Sequence, residues 1–140
     1  MGFPVSPAQV LILDDADGCR AALSLLVQDL WPEAQCLEAA TMEEAVRLLA
    51  NTPVDLVCAD LRLPDSAPRN TLDTLIRLLD VTVPLILISG SAFPLDGYDL
   101  LRLGADAFCS KGMDTHEMQQ RIYMAWAAAC GRHKRRQRHA

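Results

Sequence analysis

Asp14, Asp15, Asp60, Ser89, Ser110 and Lys111 each stand directly after a short apolar run. If those runs are strands of one sheet, the six side chains gather at a single edge. Carboxylates brought together in this way repel by about 3 kcal/mol per pair at ~5 Å and an effective dielectric near ~20. They must share protons or hold a cation. Magnesium suits such a set, because it prefers hard oxygen ligands, keeps several waters and is bound by one or two carboxylates together with phosphate oxygens. Asp60 could then attack phosphorus to give an aspartyl phosphate. Lys111 and the Ser89 hydroxyl are the right types to contact phosphoryl oxygens in such a transfer. Singly, each acid also reads as a turn or cap residue, Ser89 as loop filler and Lys111 as a solvated charge. Their joint placement favours the chemistry.

The elements that must position these residues alternate along the chain. The strands expected are Val10 to Leu13, Gln35 to Glu38, Leu56 to Ala59, Leu85 to Ile88 and Ala107 to Cys109. All but the second are nearly continuous in apolar residues, as befits parallel strands covered on both faces. Between them lie helical stripes. The first is Cys19, Ala22, Leu23, Leu26, Val27 and Leu30, and the second is Met42, Ala45, Val46 and Leu49, opened by Thr41 and Glu44 at capping-box spacing. The third uses Leu72, Leu75, Ile76 and Leu79; a weaker fourth spans about Asp96 to Leu103 and ends at Gly104. The last runs from about Thr115 to Cys130, with Asp114 as N-cap and Met118, Ile122, Ala125, Trp126 and Ala129 inward. Strict alternation with right-handed crossovers predicts an α/β fold: a doubly wound five-stranded parallel sheet of order 2-1-3-4-5 with five helices, the flavodoxin-like three-layer sandwich. Such sheets bind ligands beyond the carboxyl ends of their strands, near the switch point between strands one and three.

The 140 residues, 51% hydrophobic, are expected to form one domain over residues 10–130, with an N-terminal extension over 1–9 and a basic tail over 131–140. No apolar run reaches the ~18 residues of a spanning helix, and no basic residue precedes Arg20, so a cytoplasmic protein is expected. The five cysteines form no Cys-x-x-Cys pair and read as small core residues in a reducing compartment. The histidines, His116, His133 and His139, lack partners at zinc-ligand spacing. Net charge is −5: five of the 13 basic residues lie in the tail, which holds no acid, so eight basic residues against 18 acidic ones leave the body at −10. An acidic body disfavours broad nucleic-acid binding and confines any such contact to the tail. A disordered, solvated end is the plainer reading of that tail.

Four segments carry a resemblance. Val10-Leu-Ile-Leu-Asp-Asp15, Leu56-Val-Cys-Ala-Asp-Leu-Arg-Leu-Pro-Asp65, Leu87-Ile-Ser-Gly90 and Gly104-Ala-Asp-Ala-Phe-Cys-Ser-Lys111 resemble the signature segments of response-regulator receiver domains of two-component signalling, over about Val10 to Cys130. The resemblance implies that Asp60 is the phosphoacceptor, that Asp15, Asp60 and the backbone carbonyl of Arg62 ligate Mg²⁺, and that Asp14 assists through water. It implies that Lys111 pairs with the phosphoryl group, that Ser89 is the switch hydroxyl and that Phe108 is the switch aromatic. It further implies a cytoplasmic phosphorelay switch rather than a turnover enzyme. The donor would be a histidine kinase or histidine phosphotransfer protein. The output would be a downstream protein or self-association through the face of the fourth helix, fifth strand and fifth helix, including Arg102, His116, Gln119 and Tyr123.

The sequence departs from the family in two loops. Gly112 follows Lys111 where receivers usually carry a cis proline, which predicts a trans bond. The turn after Pro64 lacks the usual glycine and contains Pro68, which is expected to stiffen it. A flavodoxin-like cofactor binder shares the fold, but Asp14-Asp15-Ala16-Asp17 would repel a phosphate that no cation accompanied. The closer alternative is a receiver-like interaction module that works without phosphorylation.

Overall fold

The computed structural model describes residues 6–90 and 101–139, with 133–139 given by their helical backbone alone. The elements are β1 (Gln9–Leu13), α1 (Asp17–Leu30), β2 (Gln35–Ala39), α2 (Met42–Asn51), β3 (Leu56–Ala59), α3 (Pro68–Leu78), β4 (Leu85–Ser89), β5 (Ala107–Ser110) and a C-terminal helix, α4 (Thr115–His139). The five strands are parallel and ordered β2-β1-β3-β4-β5, as expected. Most of the expected fourth helix, about Asp96 to Leu103, lies outside the described residues; Leu101 and Arg102 are helical, and four helices are named among those described.

Alternation of side chains along each strand divides the core in two. Val10, Ile12, Cys58, Ile86, Ile88 and Cys109 pack with Leu23, Val27, Ile122 and Trp126 of α1 and α4. Leu11, Leu13, Val57, Ala59 and Leu87 pack with Ala45, Leu72 and Leu75 of α2 and α3. Both faces are therefore covered, which is why these strands read as unbroken apolar runs. Trp31, just past α1, stacks on Tyr123 at 6.3 Å and meets Trp126 edge-on at 6.2 Å, tying the end of α1 to α4.

All five inward positions expected of α4 are buried. Among the described positions of the other stripes three are exposed, Ala22 and, each by more than a third, Val46 and Ile76, while Cys19, Leu30, Leu49 and Leu79 are half-buried. On α1 the buried arc is centred on Leu23 and Val27 and extends to Ser24 instead of Ala22, a choice that apolar periodicity has no means of registering. The helix predicted to end near Cys130 continues through His139, so the basic tail is helical in its backbone rather than disordered.

Local chemistry explains the helix starts. Asp114 accepts N–H groups from His116 and Glu117 at 3.1 and 3.3 Å, and Pro68 occupies the first turn of α3, where its missing N–H is harmless. At α2 the Thr41 hydroxyl accepts the Glu44 N–H at 3.1 Å, while the Glu44 side chain reaches back to the Ala40 N–H at 3.2 Å. The first two N–H groups of α2 are taken from elsewhere: Asp65, in the β3–α3 turn, accepts from Met42 at 2.8 Å and from Glu43 at 3.0 Å. These bonds hold the Asp65 carboxyl below its ordinary value of 3.8.

Gly104 sits at φ +123°, and a Cβ there would lie 2.9 Å from Ile76 Cδ1. Ile76 can turn aside, but the backbone strain remains, so Gly104→Ala should lower unfolding free energy by about 1–3 kcal/mol in urea titration. A folded-state Asp65 pKa below its unfolded value gives stability that is whole above 3.8 and is lost as pH falls through the lowered value. The stability gap between wild type and Asp65→Ala should thus hold steady from pH 7 to about 5 and shrink below the ordinary aspartate range, read from denaturation midpoints across pH.

Candidate metal and acceptor site

The ends of β1, β3, β4 and β5 bring the chemistry-bearing residues together. Pairing of β1 with β3 sets Leu13 opposite Ala59, so the next residues, Asp14 and Asp60, emerge side by side. Backbone bonds fix both: the Asp60 N–H donates to the Leu13 carbonyl at 2.8 Å, and the Asp14 N–H to the Ala39 carbonyl at 3.0 Å. Carboxylate oxygens of Asp14, Asp15 and Asp60 lie within 4.8 Å of one another. Asp14 is fully buried, Asp60 nearly so, and Asp15 is exposed.

Lys111 meets this group from β5. Its Nζ lies 2.8 Å from Asp14 Oδ2 and 2.9 Å from Asp60 Oδ2. Burial, the largest single influence, would lower the lysine pKa. Hydrogen bonds to Asp14 and Asp60, with their charges, together outweigh it and hold the ammonium well above its ordinary value. The lysine is aimed by the backbone, since its N–H donates to the Ser89 carbonyl at 3.0 Å. Gly90 is part of the same arrangement: a Cβ there would sit 3.0 Å from Lys111 Cδ, so a side chain would obstruct the lysine stem. The peptide after Lys111 is trans, as the glycine predicted.

The remaining oxygens are partly committed. Asp14 Oδ1 accepts the Ala16 N–H at 2.9 Å, and Asp60 Oδ1 accepts the Arg62 N–H at 3.0 Å. Asp14 Oδ2, wholly buried, has no hydrogen-bonding partner beyond the nearby ammonium. Three carboxylates and one ammonium leave a charge of −2, which one divalent cation neutralises. The donor set is hard oxygen throughout, so the residues present fit magnesium.

Ser89 is buried at the end of β4. Phe108 is half-buried and packs with the α2–α3 side of the core, opposite Cys109, as strand alternation predicted. Ser110 is exposed, its carbonyl accepting the Met113 N–H at 3.1 Å. The cysteines are all free; burial pushes the Cys109 thiol up to about 11 and Cys58 higher still, consistent with inert core residues.

The expected interaction face needs correction. Gln119 donates to the Leu26 carbonyl at 3.2 Å and to Asp29 at 2.9 Å, Tyr123 stacks on Trp31, and His116 borders the same hollow as both. These three residues therefore lie beside α1, away from β5. The side of α4 that meets β5 carries Arg121, whose guanidinium donates to the Phe108 carbonyl at 2.8 Å and to Glu117 at 3.3 Å. Helical spacing separates the two sets: 116, 119 and 123 share one face, 117 and 121 the next.

Sequence reading missed Arg20, whose guanidinium donates to the Asp14 carbonyl at 2.8 Å, to Asp17 at 2.7 Å and to Glu38 at 3.0 Å, bracing the β1–α1 loop. Its spacing of three residues from Asp17 was a signal; Glu38 and the Asp14 carbonyl are joined to it only by the fold.

Comparison with known proteins agrees with this geometry. The sequence pattern of the response regulator receiver domain matches residues 10–123. The chain is 30% identical over 119 residues to the TorCAD operon transcriptional regulatory protein TorR of Escherichia coli O157:H7, a match covering 83% of this chain and 49% of that protein. The chain thus spans about half the length of this curated relative. Among solved structures, the CheY-like response regulator receiver domain protein from Methanospirillum hungatei JF-1 is similar at TM-score 0.76 and 22% identity, covering 89% of this chain and 97% of the other. NtrX from Brucella abortus is similar at TM-score 0.79 and 19% identity, covering 91% of this chain and 29% of the other. With the family pattern matched over most of its length and its acidic cluster at the strand ends, the chain belongs to the response regulator receiver domain family.

Proposed function

We propose that this receiver domain accepts a phosphoryl group on Asp60 from a phosphohistidine, in a magnesium-dependent reaction, and passes on the change as a signal. The observation that carries the reading is the convergence of three carboxylates, two of them paired with one lysine, with a net charge that a divalent cation would neutralise. Asp15, Asp60 and the Arg62 carbonyl would hold magnesium, and Asp14 would assist through water. Bound there, magnesium supplies positive charge that screens the acids from an approaching phosphoryl group.

An oxygen of Asp60 forms a bond to phosphorus as the bond from phosphorus to the donor's imidazole nitrogen breaks. The electron pair stays on that nitrogen. Lys111, already 2.9 Å from Asp60 Oδ2, turns to the phosphoryl oxygens, and Ser89 supplies a hydroxyl from the neighbouring strand end. An apolar hollow of about 450 Å³ adjoins Lys111 and is lined by Cys19, Ala22, Leu25 and Met113, among others. This gives a donor histidine kinase or phosphotransfer protein an apolar surface to rest on beside the acceptor.

As Ser89, at the end of β4, draws toward a phosphorylated Asp60, Phe108 can fill space beside β5, with no polar group to desolvate. The face that changes includes β5 and the Arg121 side of α4, where a downstream partner or a second copy would bind. The reading describes a cytoplasmic switch rather than a turnover enzyme.

Incubation with a small phosphodonor and Mg²⁺ should add one base-labile phosphoryl mass to the intact protein, and Asp60→Asn should abolish it. Uptake at the original site by Asp60→Asn would overturn the proposal; a wild type that takes up no phosphoryl mass would favour a phosphorylation-independent interaction module. Asp15, which has no ion-pair partner among the described residues, contributes mainly repulsion to the metal-free site. Asp15→Asn should therefore weaken Mg²⁺ binding while raising metal-free stability by about 0.5–1 kcal/mol, a solvent-screened value, measured by denaturation in chelator.

A further inference from the structure

We infer that Asp65 is a positioning residue for the metal site: by bridging the β3–α3 turn to the first two N–H groups of α2, it sets the spacing between the ligands of β1 and those of β3. The inference rests on the reading of Asp15, Asp60 and Arg62 as magnesium ligands.

The bridge completes a ring around the acids. The Asp14 N–H is bonded to the Ala39 carbonyl at the end of β2. Three residues on, the Met42 N–H reaches across to Asp65, and three residues back from Asp65 the Arg62 N–H is bonded to Asp60. The Asp60 N–H in turn donates to the Leu13 carbonyl, beside Asp14. Without Asp65 the ring is open on the side where the Arg62 carbonyl must be presented.

Two further bonds of the turn are weaker or lie farther along. Its own closing bond, from the Ser66 N–H to the Leu63 carbonyl, is long at 3.4 Å. The contact of Ser66 with the Thr71 hydroxyl, 2.8 Å, fixes only the end that enters α3. The two Asp65 bonds, at 2.8 and 3.0 Å, are charge-assisted and placed at the positive end of a helix. Nor is Asp65 merely the cap of α2, since Thr41 already serves the next N–H locally. Asp65 joins two loops, and Thr41 does not. That difference makes Thr41→Ala the control.

Mg²⁺ affinity should be measured by amide chemical-shift titration with magnesium chloride on wild type, Asp65→Ala, Asp65→Asn and Thr41→Ala, with circular dichroism confirming that each is folded. Loss of a residue that orients metal ligands from behind weakens binding by roughly 10–100-fold, so Asp65→Ala should raise the Mg²⁺ dissociation constant about tenfold or more. Asp65→Asn, which keeps one acceptor oxygen, should fall between it and wild type and serves if the alanine variant does not fold. Thr41→Ala should stay within about twofold of wild type although it too removes a cap from α2. An Asp65→Ala affinity within twofold of wild type, a Thr41→Ala loss as large as that of Asp65→Ala, or a wild type that binds no magnesium would overturn the inference. A wild type that binds magnesium but takes no phosphoryl group would refute the phosphoacceptor reading alone, leaving the role of Asp65 to the titration.

Discussion

Like charge concentrated at one sheet edge is the constraint on which the rest of this molecule turns. Each pair of ionised carboxylates at the observed separation repels by about 3 kcal/mol at an effective dielectric near ~20, and one member, Asp14, is fully buried. A lone buried carboxylate would be more costly still. The single ammonium of Lys111 answers two of the acids directly, and its raised pKa reports how strongly their field holds it protonated. It does not neutralise the third. The resting site is thus held together by one cation too few, a condition that favours the entry of another.

The fold is what makes such a cluster tolerable. A parallel sheet sends every strand's carboxyl end to one edge, and the β2-β1-β3-β4-β5 order makes β1 and β3 neighbours, so Asp14 and Asp60 are adjacent without any loop having to reach. Beneath them both sheet faces are closed by helices over leucine, isoleucine and valine. That apolar base holds the strand ends rigidly enough to keep like charges close. It also supplies the stability against which their repulsion is set.

How far this was legible in the sequence depended on whether the signal was local. The strands were read to within a residue at each end, all but β2 from continuous apolar runs dictated by burial on both faces, and the acids followed because each stands next to such a run. Ala22 and Ser24 show the limit of that method: the helix turned a serine inward and an alanine out, following the width of the surface α1 covers, which no periodicity in α1 records. His116, Gln119 and Tyr123 were assigned to the β5 side from the position of their helix in the fold, whereas their rotation about its axis, which places them against α1, is fixed by the packing of Trp31 and Asp29. Arg20 and Asp65 act through partners 18 and more than 20 residues away, so their roles appear only when the loops are brought together.

Lys111 illustrates how a functional side chain is set in place by backbone rather than by its own neighbours in sequence. The residue after it is glycine, which imposes no direction on the chain. Direction comes instead from the β4–β5 pairing, which continues past the strands as the bond from the Lys111 N–H to the Ser89 carbonyl, and from the Met113-to-Ser110 bond that closes the turn behind it. Gly90 then leaves room for the aliphatic stem, so the ammonium can lie within 2.9 Å of both Asp14 and Asp60. Because Ser89 and Lys111 are joined through this backbone bond, a shift of the β4 end acts on the lysine as well as on the serine hydroxyl. The two groups proposed to contact a phosphoryl group are therefore linked through the backbone, and Phe108, three residues before the lysine, is held by the same pairing.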